Sequence, residues 1–311
     1  MLSEIAAKTS IVILTLNAEH FLPALLSALK ALPCKPHRVL FIDSASDDAT
    51  ASLIKTAGHH LHPIERHQFG HGKTRNLALS LCADSDYIVY LTQDACPQGT
   101  NWLEQLLQPF QDERVALVYG RQLPRPKATL AERFAREFNY SAHPETTTLA
   151  DLPTRGIKAV FCSNSFAAYR RSALMTIGGF PEKLPLGEDM AAALRLLQSG
   201  YARSYQPQAV AVHSHDYSIL QELKRYFDIG TLMSMDQELS RVRLATSGEG
   251  LRFVRLEIHT ALRRKAPLEI GAIALRTLGK YCGFALGQRY QYLPLSWRRR
   301  LSMHAAFWSP L

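Results

Sequence analysis

Polar and acidic side chains follow three apolar, strand-like segments in the first third of the chain. Thr15 and Asn17 follow the first segment, Asp43 follows the second, and Gln93 and Asp94 follow the segment YIVYL. Such groups can bind the base or ribose of a nucleotide, and an aspartate there suits an Mg²⁺ or Mn²⁺ ion that also contacts a diphosphate. The competing interpretation is that these residues only cap the helices that follow.

A second group of candidate residues lies further along the chain. Glu188 and Asp189 open a predicted helix, whose positive N-terminus would keep Asp189 ionised near neutral pH, as a general base requires. His213 ends a short predicted strand, and His215 points to the same side two residues later. Imidazole binds divalent transition metals, so either histidine could bind an ion together with Asp94. A structural role for acids in a first helical turn and for a histidine at a strand end is the alternative.

The segment HGKTRN at residues 71–76 combines a glycine with the cations Lys73 and Arg75 at the start of a predicted helix. Backbone N–H groups and cations in that arrangement suit a phosphate group. A loop followed by a solvated basic helix face explains the same letters equally well.

The elements that must position these residues alternate between strand-like and helix-like patterns. Strands are predicted at residues 10–16, 38–42, 60–65, 87–91, 115–119, 159–169 and 209–212. Helices are predicted at residues 21–29, 46–56, 73–81, 102–110, 130–140 and 188–197, and through most of the chain after residue 218. The alternation predicts an α/β, Rossmann-like fold whose mostly parallel sheet is covered by helices on both faces, so that the strand ends meet at one edge.

Composition limits the classes of protein that the chain can belong to. With 311 residues, 47% hydrophobic and 20% charged, the chain can bury a large core, which excludes disorder throughout. We see no membrane-spanning run and no secretory signal in MLSEIAAKTS. The five cysteines form no CxxC pair, which argues against a disulfide framework or a cysteine zinc site and fits a reducing cytoplasm.

The positive charge is concentrated in the last quarter of the chain. Residues 241–311 contain 13 Lys/Arg and 3 Asp/Glu, whereas residues 1–240 contain 23 and 24. We therefore expect a main domain at 1–240 and a basic helical region at 241–311. The mixture of cations and aromatic residues in 297–308 suits the inner face of an anionic membrane, and no nucleic-acid-binding motif accompanies it. A solvated helix face is the alternative, as is self-association through apolar residues of the same helices: Ile270, Ile273, Leu275 and Leu278.

Six short motifs, in this order, resemble the family 2 glycosyltransferases with the GT-A fold, and most closely the bacterial rhamnosyltransferase branch. They are IVILTLNAEHFL, FIDSASDDAT, FGHGKTRN, LTQDACP, the pair Glu188–Asp189, and HSHDYS, within about residues 9–235. The resemblance implies a nucleotide-binding half at about 1–120 and an acceptor half at about 121–240. In one departure, Thr92 replaces the first acid of the family's DxD motif, which leaves a metal ion fewer protein ligands. The Thr-Gln-Asp variant is similar to that of enzymes that use dTDP-rhamnose.

The resemblance also implies which residues bind the donor. Thr15, Asn17 and Asp43 would line the nucleotide pocket, with Asp43 contacting the pyrimidine. Arg75 would approach the diphosphate or the sugar, and Gln93 lies within the donor-binding motif.

For catalysis, the resemblance implies a divalent cation, Mg²⁺ or Mn²⁺, at Asp94 and His213. Asp189 would be the general base, with Glu188 beside it helping to hold the acceptor. The expected reaction is the inverting transfer of L-rhamnose from dTDP-rhamnose to a saccharide or lipid-linked saccharide, in the assembly of a bacterial surface polysaccharide. The protein would work in the cytoplasm, peripherally at the inner face of the cell membrane.

Three other functions are compatible with the sequence. The donor could be a UDP-hexose, or the chain could be a catalytically inactive GT-A scaffold that docks on a membrane. The persistence of Asp94, Asp189 and His213 argues against the scaffold. A nucleotidyltransferase is disfavoured because LTLNAEHF, after the first strand, contains no glycine-rich phosphate loop.

Overall fold

The computed structural model describes residues 2–244 and 248–309. Its strands are β1 (Thr9–Thr15), β2 (Arg38–Asp43), β3 (His60–Pro63), β4 (Tyr87–Thr92), β5 (Cys96–Pro97), β6 (Val115–Leu123), β7 (Glu145–Thr147), β8 (Phe166–Arg170) and β9 (Ala202–Val212). They form one sheet in the order β3-β2-β1-β4-β8-β6-β9-β5, with β7 paired to β9.

The helices cover this sheet and continue into the C-terminal region. They are α1 (Leu2–Ala7), α2 (Leu22–Lys30), α3 (Thr50–Thr56), α4 (His71–Leu81), α5 (Trp102–Leu107), α6 (Leu130–Asn139), α7 (Leu152–Arg155), α8 (Ile157–Val160), α9 (Arg171–Thr176), α10 (Glu188–Gln198), α11 (Ile219–Met235), α12 (Gln237–Leu244), α13 (Glu249–Arg263), α14 (Leu268–Gln288) and α15 (Leu295–Leu301). Within the described ranges, no helix combines the length and the apolar character that crossing a membrane requires.

The half of the sheet that contains β1 is parallel. β1 pairs with β2 and with β4, and β2 pairs with β3, all in parallel. Every residue of β1 is buried, because alternate side chains enter two separate cores: Ile11 and Ile13 join one, Val12 and Leu14 the other. The predicted α/β architecture, with helices on both faces, is confirmed.

The other half of the sheet is mixed, because β8 runs antiparallel between β4 and β6, while β9 returns parallel to β6. The strand predicted at 159–169 is wrong in its first half, where the apolar residues form α8 and the strand begins at Phe166. A short apolar run does not distinguish a buried helical turn from a strand. β9 is longer than the predicted 209–212. Its first part was not predicted because it contains a charged residue, Arg203, which is only 1% exposed and is neutralised inside the fold by Glu145.

Helices α11 and α14 pack together through a seam of glycines, formed by Gly230 of α11 with Gly279, Gly283 and Gly287 of α14. A Cβ atom at Gly283 would lie 2.1 Å from the carbonyl oxygen of Leu223, and one at Gly287 would lie 2.0 Å from the carbonyl oxygen of Phe227, one turn later in α11. The backbones of α11 and α14 therefore touch, with no layer of side chains between them.

We expect Gly283→Ala to destabilise the protein by about 1–3 kcal/mol, because the added methyl group forces the two helices apart. Gly271→Ala is the matched control on the same helix, since a Cβ there meets nothing within 4 Å. Because alanine loses less conformational entropy than glycine on folding into a helix, this control should be more stable than the wild type by up to about 1 kcal/mol. Urea unfolding measures both values, and equal effects of the two substitutions would contradict the seam.

Candidate functional site

Asp94, His213 and His215 form a compact cluster at the edge of the sheet. Strand β5 pairs Cys96 with Val212, which brings the residues before one strand next to those after the other. The Asp94 Oδ2 atom lies 3.4 Å from His213 Nε2 and 3.3 Å from His215 Nε2. The potential ligand atoms of all three residues lie within 4.8 Å of one another. The sequence left open which histidine accompanies Asp94, and the structure places both there.

Hydrogen bonds behind the cluster determine which nitrogen of His213 is free. Its Nδ1 lies 2.8 Å from Gln122 Oε1, which also accepts a bond of 2.6 Å from the Arg136 guanidinium. An amide oxygen only accepts, so Nδ1 carries the proton and the Nε2 lone pair faces Asp94. His215 Nε2 lies 3.0 Å from His213 Nε2. One carboxylate and two imidazole nitrogens converging in this way fit a divalent cation.

The electrostatics keep the cluster in the protonation states that metal binding needs. Burial lowers the pKa of His215 to about 4, assisted by the neighbouring His213, so the ring is neutral at physiological pH. For Asp94, burial alone would raise the pKa, but the neighbouring His213 and His215 hold it well below its usual range. Asp94 is thus an anion beside the neutral imidazole of His215, as metal binding requires.

The loops after β1 and β2 are joined around Asp43. Its Oδ1 accepts hydrogen bonds from the hydroxyls of Thr15, at 2.8 Å, and Ser46, at 2.6 Å, and its Oδ2 accepts one from the Ser46 N–H at 2.9 Å. Asn17 adopts a left-handed φ of 50° and accepts a bond from the Asp47 N–H. The following helix α3 begins at Thr50 rather than at the predicted residue 46, because Ser46 and Asp47 are used in these loop contacts.

Gln93 connects the end of β4 to the loop after β1. Its side-chain amide accepts a hydrogen bond of 2.7 Å from the Leu16 N–H and donates one of 3.0 Å to the Leu16 carbonyl oxygen. These paired bonds extend the β1–β4 ladder by one side chain. They hold the loop that contains Asn17 against the loop that contains Asp94.

Glu188 and Asp189 lie at the N-terminus of α10 and share Asn164 as a partner. The Asn164 side chain donates to Glu188 Oε1 at 3.0 Å, and its backbone N–H donates to Asp189 Oδ2 at 3.1 Å. The next residue, Ser165, accepts a hydrogen bond from the Thr92 N–H, two positions before Asp94. The loop at 163–165 therefore links the acid pair to the end of β4.

Asp189 differs from the sequence-based expectation in its ionisation. Burial, together with the charge of Glu188, raises the pKa of Asp189 to about 7, although the N–H groups of Asn164 and Met190 oppose the rise. The helix N-terminus was expected to keep this carboxyl ionised near neutral pH, but it does so fully only above pH 7. A carboxylate whose pKa is near the working pH has the proton affinity that suits a general base.

Arg75 is buried against the acid pair. It is 3% exposed, and its Nη1 lies 3.1 Å from Glu188 Oε1 and donates to the carbonyl oxygen of His71. Burial alone would raise the pKa of Glu188, but Arg75, followed by His71, lowers it below its usual value. Arg75 thereby keeps Glu188 ionised beside Asp189, and its contact with the donor stays a prediction.

We expect Arg75→Met to destabilise the fold by about 3–5 kcal/mol, because it leaves the Glu188 carboxylate buried without its cation. Adding Glu188→Gln to this variant removes the uncompensated charge and should recover much of the loss. Urea unfolding of the two single variants and the double variant at pH 8 measures the coupling. If the single and double variants were equally unstable, the ion pair would not be the cause.

Sequence reasoning missed Asn164 and Gln122 as parts of the site. Asn164 had a visible signal, since the polar letters SNS interrupt an otherwise apolar run at 163–165. Gln122 is 1% exposed near the end of β6 and carries no signal beyond a polar letter in a strand.

Comparison with known proteins identifies the class to which this fold and site belong. The model of the Glycosyl transferase family 2 matches residues 10–178. The solved mannosyltransferase PcManGT from Pyrobaculum calidifontis, in complex with GDP-Man and Mn²⁺, superimposes with a TM-score of 0.57 at 17% identity, covering 96% of this chain and 85% of that chain. The fold is therefore the GT-A type of glycosyltransferase.

Two curated relatives are similar over nearly their whole length. The O-antigen chain rhamnosyltransferase WbaN of Salmonella anatum is 42% identical over 275 residues, 88% of this chain and 87% of WbaN. The O-antigen chain rhamnosyltransferase RfbN of Salmonella typhimurium strain LT2 is 40% identical over 303 residues, 97% of this chain and 96% of RfbN. The chain belongs to glycosyltransferase family 2 and is similar to its bacterial rhamnosyltransferases, as the motifs predicted.

Proposed function

We propose that this glycosyltransferase moves L-rhamnose from dTDP-rhamnose, with inversion, onto a saccharide or lipid-linked saccharide during assembly of a bacterial surface polysaccharide. The observation that carries this proposal is the cluster of Asp94, His213 and His215, joined through the loop at 163–165 to the acid pair Glu188–Asp189. The two Salmonella relatives, named as O-antigen chain rhamnosyltransferases, support the choice of sugar.

In this proposal, Asp94, His213 and His215 hold a divalent cation, Mn²⁺ or Mg²⁺. Imidazole ligands favour Mn²⁺ over Mg²⁺. When bound, the cation supplies positive charge that stabilises the diphosphate as negative charge grows on it. Gln122 keeps the His213 Nε2 lone pair directed at the cluster.

Donor binding is assigned to the loops after β1, β2 and β4. Asp43 and Thr15 contact the nucleoside, Asn17 lines the same pocket, and Gln93 fixes the loop that carries them. The Asp43 carboxylate already accepts hydrogen bonds from the Thr15 and Ser46 hydroxyls. In nucleotide binding it therefore orients these hydroxyls as well as accepting a hydrogen bond from the base. Arg75 approaches the diphosphate or the sugar in this proposal, from its buried position beside Glu188.

Asp189 is the proposed general base. Its carboxylate accepts the proton of the acceptor hydroxyl while the oxygen attacks the anomeric carbon and the bond to the dTDP oxygen breaks. Because the attack and the departure lie on opposite faces, a β-linked donor yields an α-linked product. Glu188, held ionised by Arg75, raises the proton affinity of Asp189 and helps to hold the acceptor.

A panel of nucleotide sugars tests this function. The protein is incubated with Mn²⁺ or Mg²⁺, a rhamnose acceptor and dTDP-rhamnose, UDP-glucose, UDP-GlcNAc or GDP-mannose, and release of the nucleoside diphosphate is measured. We expect release from dTDP-rhamnose only. Preferential release from a UDP-hexose would show that the donor is a UDP-sugar, with the proposed mechanism unchanged. Absence of release from every donor would favour the catalytically inactive scaffold.

Peripheral contact with an anionic membrane, at the inner face of the cell membrane, belongs to the same proposal. It rests on the surplus of Lys and Arg in residues 241–311. Self-association through the C-terminal helices remains the competing proposal. Ile273, one of the residues suggested for it, is 2% exposed and packs inside the protein.

A further inference from the structure

Helix α14 has an exposed apolar face, here called the leucine face. Its large members are spaced as on one side of a helix, and their exposed fractions are 93% for Leu268, 56% for Leu275, 58% for Leu278, 71% for Tyr281 and 37% for Leu286. The smaller residues on this side are also uncharged: Gly271, Ala274, Cys282 and Ala285.

No segment within residues 2–244 and 248–309 covers this face. The glycine seam occupies a different side of α14, and the helix has 21 residues, so the apolar strip is about 30 Å long. Continuous apolar strips of this size are rarely left in water by monomeric proteins and mark a binding surface.

Basic residues stand at both ends of the leucine face. Arg263, Arg264 and Lys265 are exposed just before α14, and Arg289 is exposed just after it. Arg299 and Arg300 of α15 are also exposed. Of these cations, Arg264 lies 3.9 Å from the Glu137 carboxylate. The acids of α13 and α14 pair with other residues instead: Glu257 and Glu269 with Arg276, and Glu249 with Lys158 and Arg252.

Exposed aromatic side chains lie near the basic residues that follow α14: Arg289, Arg299 and Arg300. Tyr292 is 86% exposed and Trp297 is 58% exposed, and both residue types favour the level of lipid headgroups. By contrast, Trp308 is 7% exposed and packs on Phe227 and Tyr290, so this part of the surface predicted at 297–308 is not available.

We propose that the leucine face of α14 lies in the interface of an anionic bilayer, parallel to its surface, with the basic residues at both ends contacting lipid phosphates. The proposal rests on the membrane contact proposed above, but not on the assigned donor or base. An apolar face flanked by cations and aromatic residues has the composition of an interfacial helix.

The charges favour a lipid surface over a second copy of the chain. Pairing two leucine faces, in either direction, would bring basic ends against basic ends, and like charges at close range repel. Anionic headgroups instead complement both ends at once.

Vesicle flotation at low salt tests the proposal, with vesicles of phosphatidylglycerol and phosphatidylethanolamine and, for comparison, of phosphatidylcholine alone. The wild type should float with the anionic vesicles and much less with phosphatidylcholine. Leu275→Glu with Leu278→Glu should weaken this binding by about tenfold or more per leucine, since each loses its apolar burial. Met175→Glu is the matched control, because Met175 on α9 is 51% exposed outside this face, and it should bind like the wild type.

Thermal unfolding and nucleotide binding of the double variant separate this proposal from the proposed function, because both should equal those of the wild type. Absence of wild-type binding to anionic vesicles would overturn the proposal, as would equal binding by the double variant. A dimer in sedimentation velocity that Leu275→Glu dissociates, without vesicle binding, would assign the leucine face to a second copy instead.

Discussion

Asp189→Asn should reduce sugar transfer by about 10²–10⁴-fold while donor binding persists, because the amide no longer accepts the proton of the acceptor hydroxyl. The side chain lies at the start of α10, between the N–H groups of Asn164 and Met190, and its replacement leaves the cluster of Asp94, His213 and His215 untouched. Transfer is measured with acceptor present, and donor binding by calorimetry with dTDP and Mn²⁺. Unchanged transfer would remove Asp189 from the role of base.

The pH dependence provides an independent check on the same residue. Because the base works ionised and the pKa of Asp189 is raised to about 7, transfer should rise as the pH increases through 7 and fall about tenfold per unit below it. The inflection belongs to the coupled pair of Asp189 and Glu188 rather than to one carboxyl. The residual transfer activity of Asp189→Asn should lack this inflection near pH 7. Asp86→Asn, which changes an exposed acid at the opposite end of β4, should retain the wild-type profile.

Asp94→Ala should abolish the dependence of donor binding on a divalent cation and weaken that binding by at least about 100-fold. Asp94 is the carboxylate of the cluster, and without it the two imidazoles face each other with no anion. Calorimetry with dTDP, with and without Mn²⁺, measures the loss. The control is Asp86→Ala, whose acid precedes β4 as Asp94 follows it.

Single alanine substitutions of His213 and His215 then show how the two histidines share the ion. His213 is held by Gln122, whereas His215 is stacked on Tyr217 with a ring separation of 5.2 Å, so we expect the larger loss for His213. If Asp94→Ala bound the donor as tightly as the wild type, with the same response to Mn²⁺, the cluster would not be the cation site.

The parallel half of the fold could be predicted from the sequence because its signals are local. The run from residue 11 to 14 is apolar at every position, and both faces of β1 are indeed buried. Asp94 and His213 could be named because each follows a recognisable strand. Their meeting depends on β5, a strand of only 2 residues that no periodicity indicates.

The mixed half of the sheet was harder to predict because its stabilising contacts are polar and distant in sequence. β9 contains a buried arginine, Arg203, whose charge is neutralised by Glu145 from β7, so its letters do not resemble a strand. The pKa of Asp189 depends on burial beside Glu188, which local sequence does not reveal, whereas the helix N-terminus is visible in the letters. Burial therefore outweighs the helix N-terminus in determining the pKa of Asp189.

The glycine seam has a practical consequence for exchanging parts between related enzymes. A junction near residue 240, where the charge balance changes, would take α11 from one parent and α14 from the other, although their backbones interlock at Gly230, Gly283 and Gly287. A hybrid that inherits both helices together, with its junction before residue 219, preserves this fit.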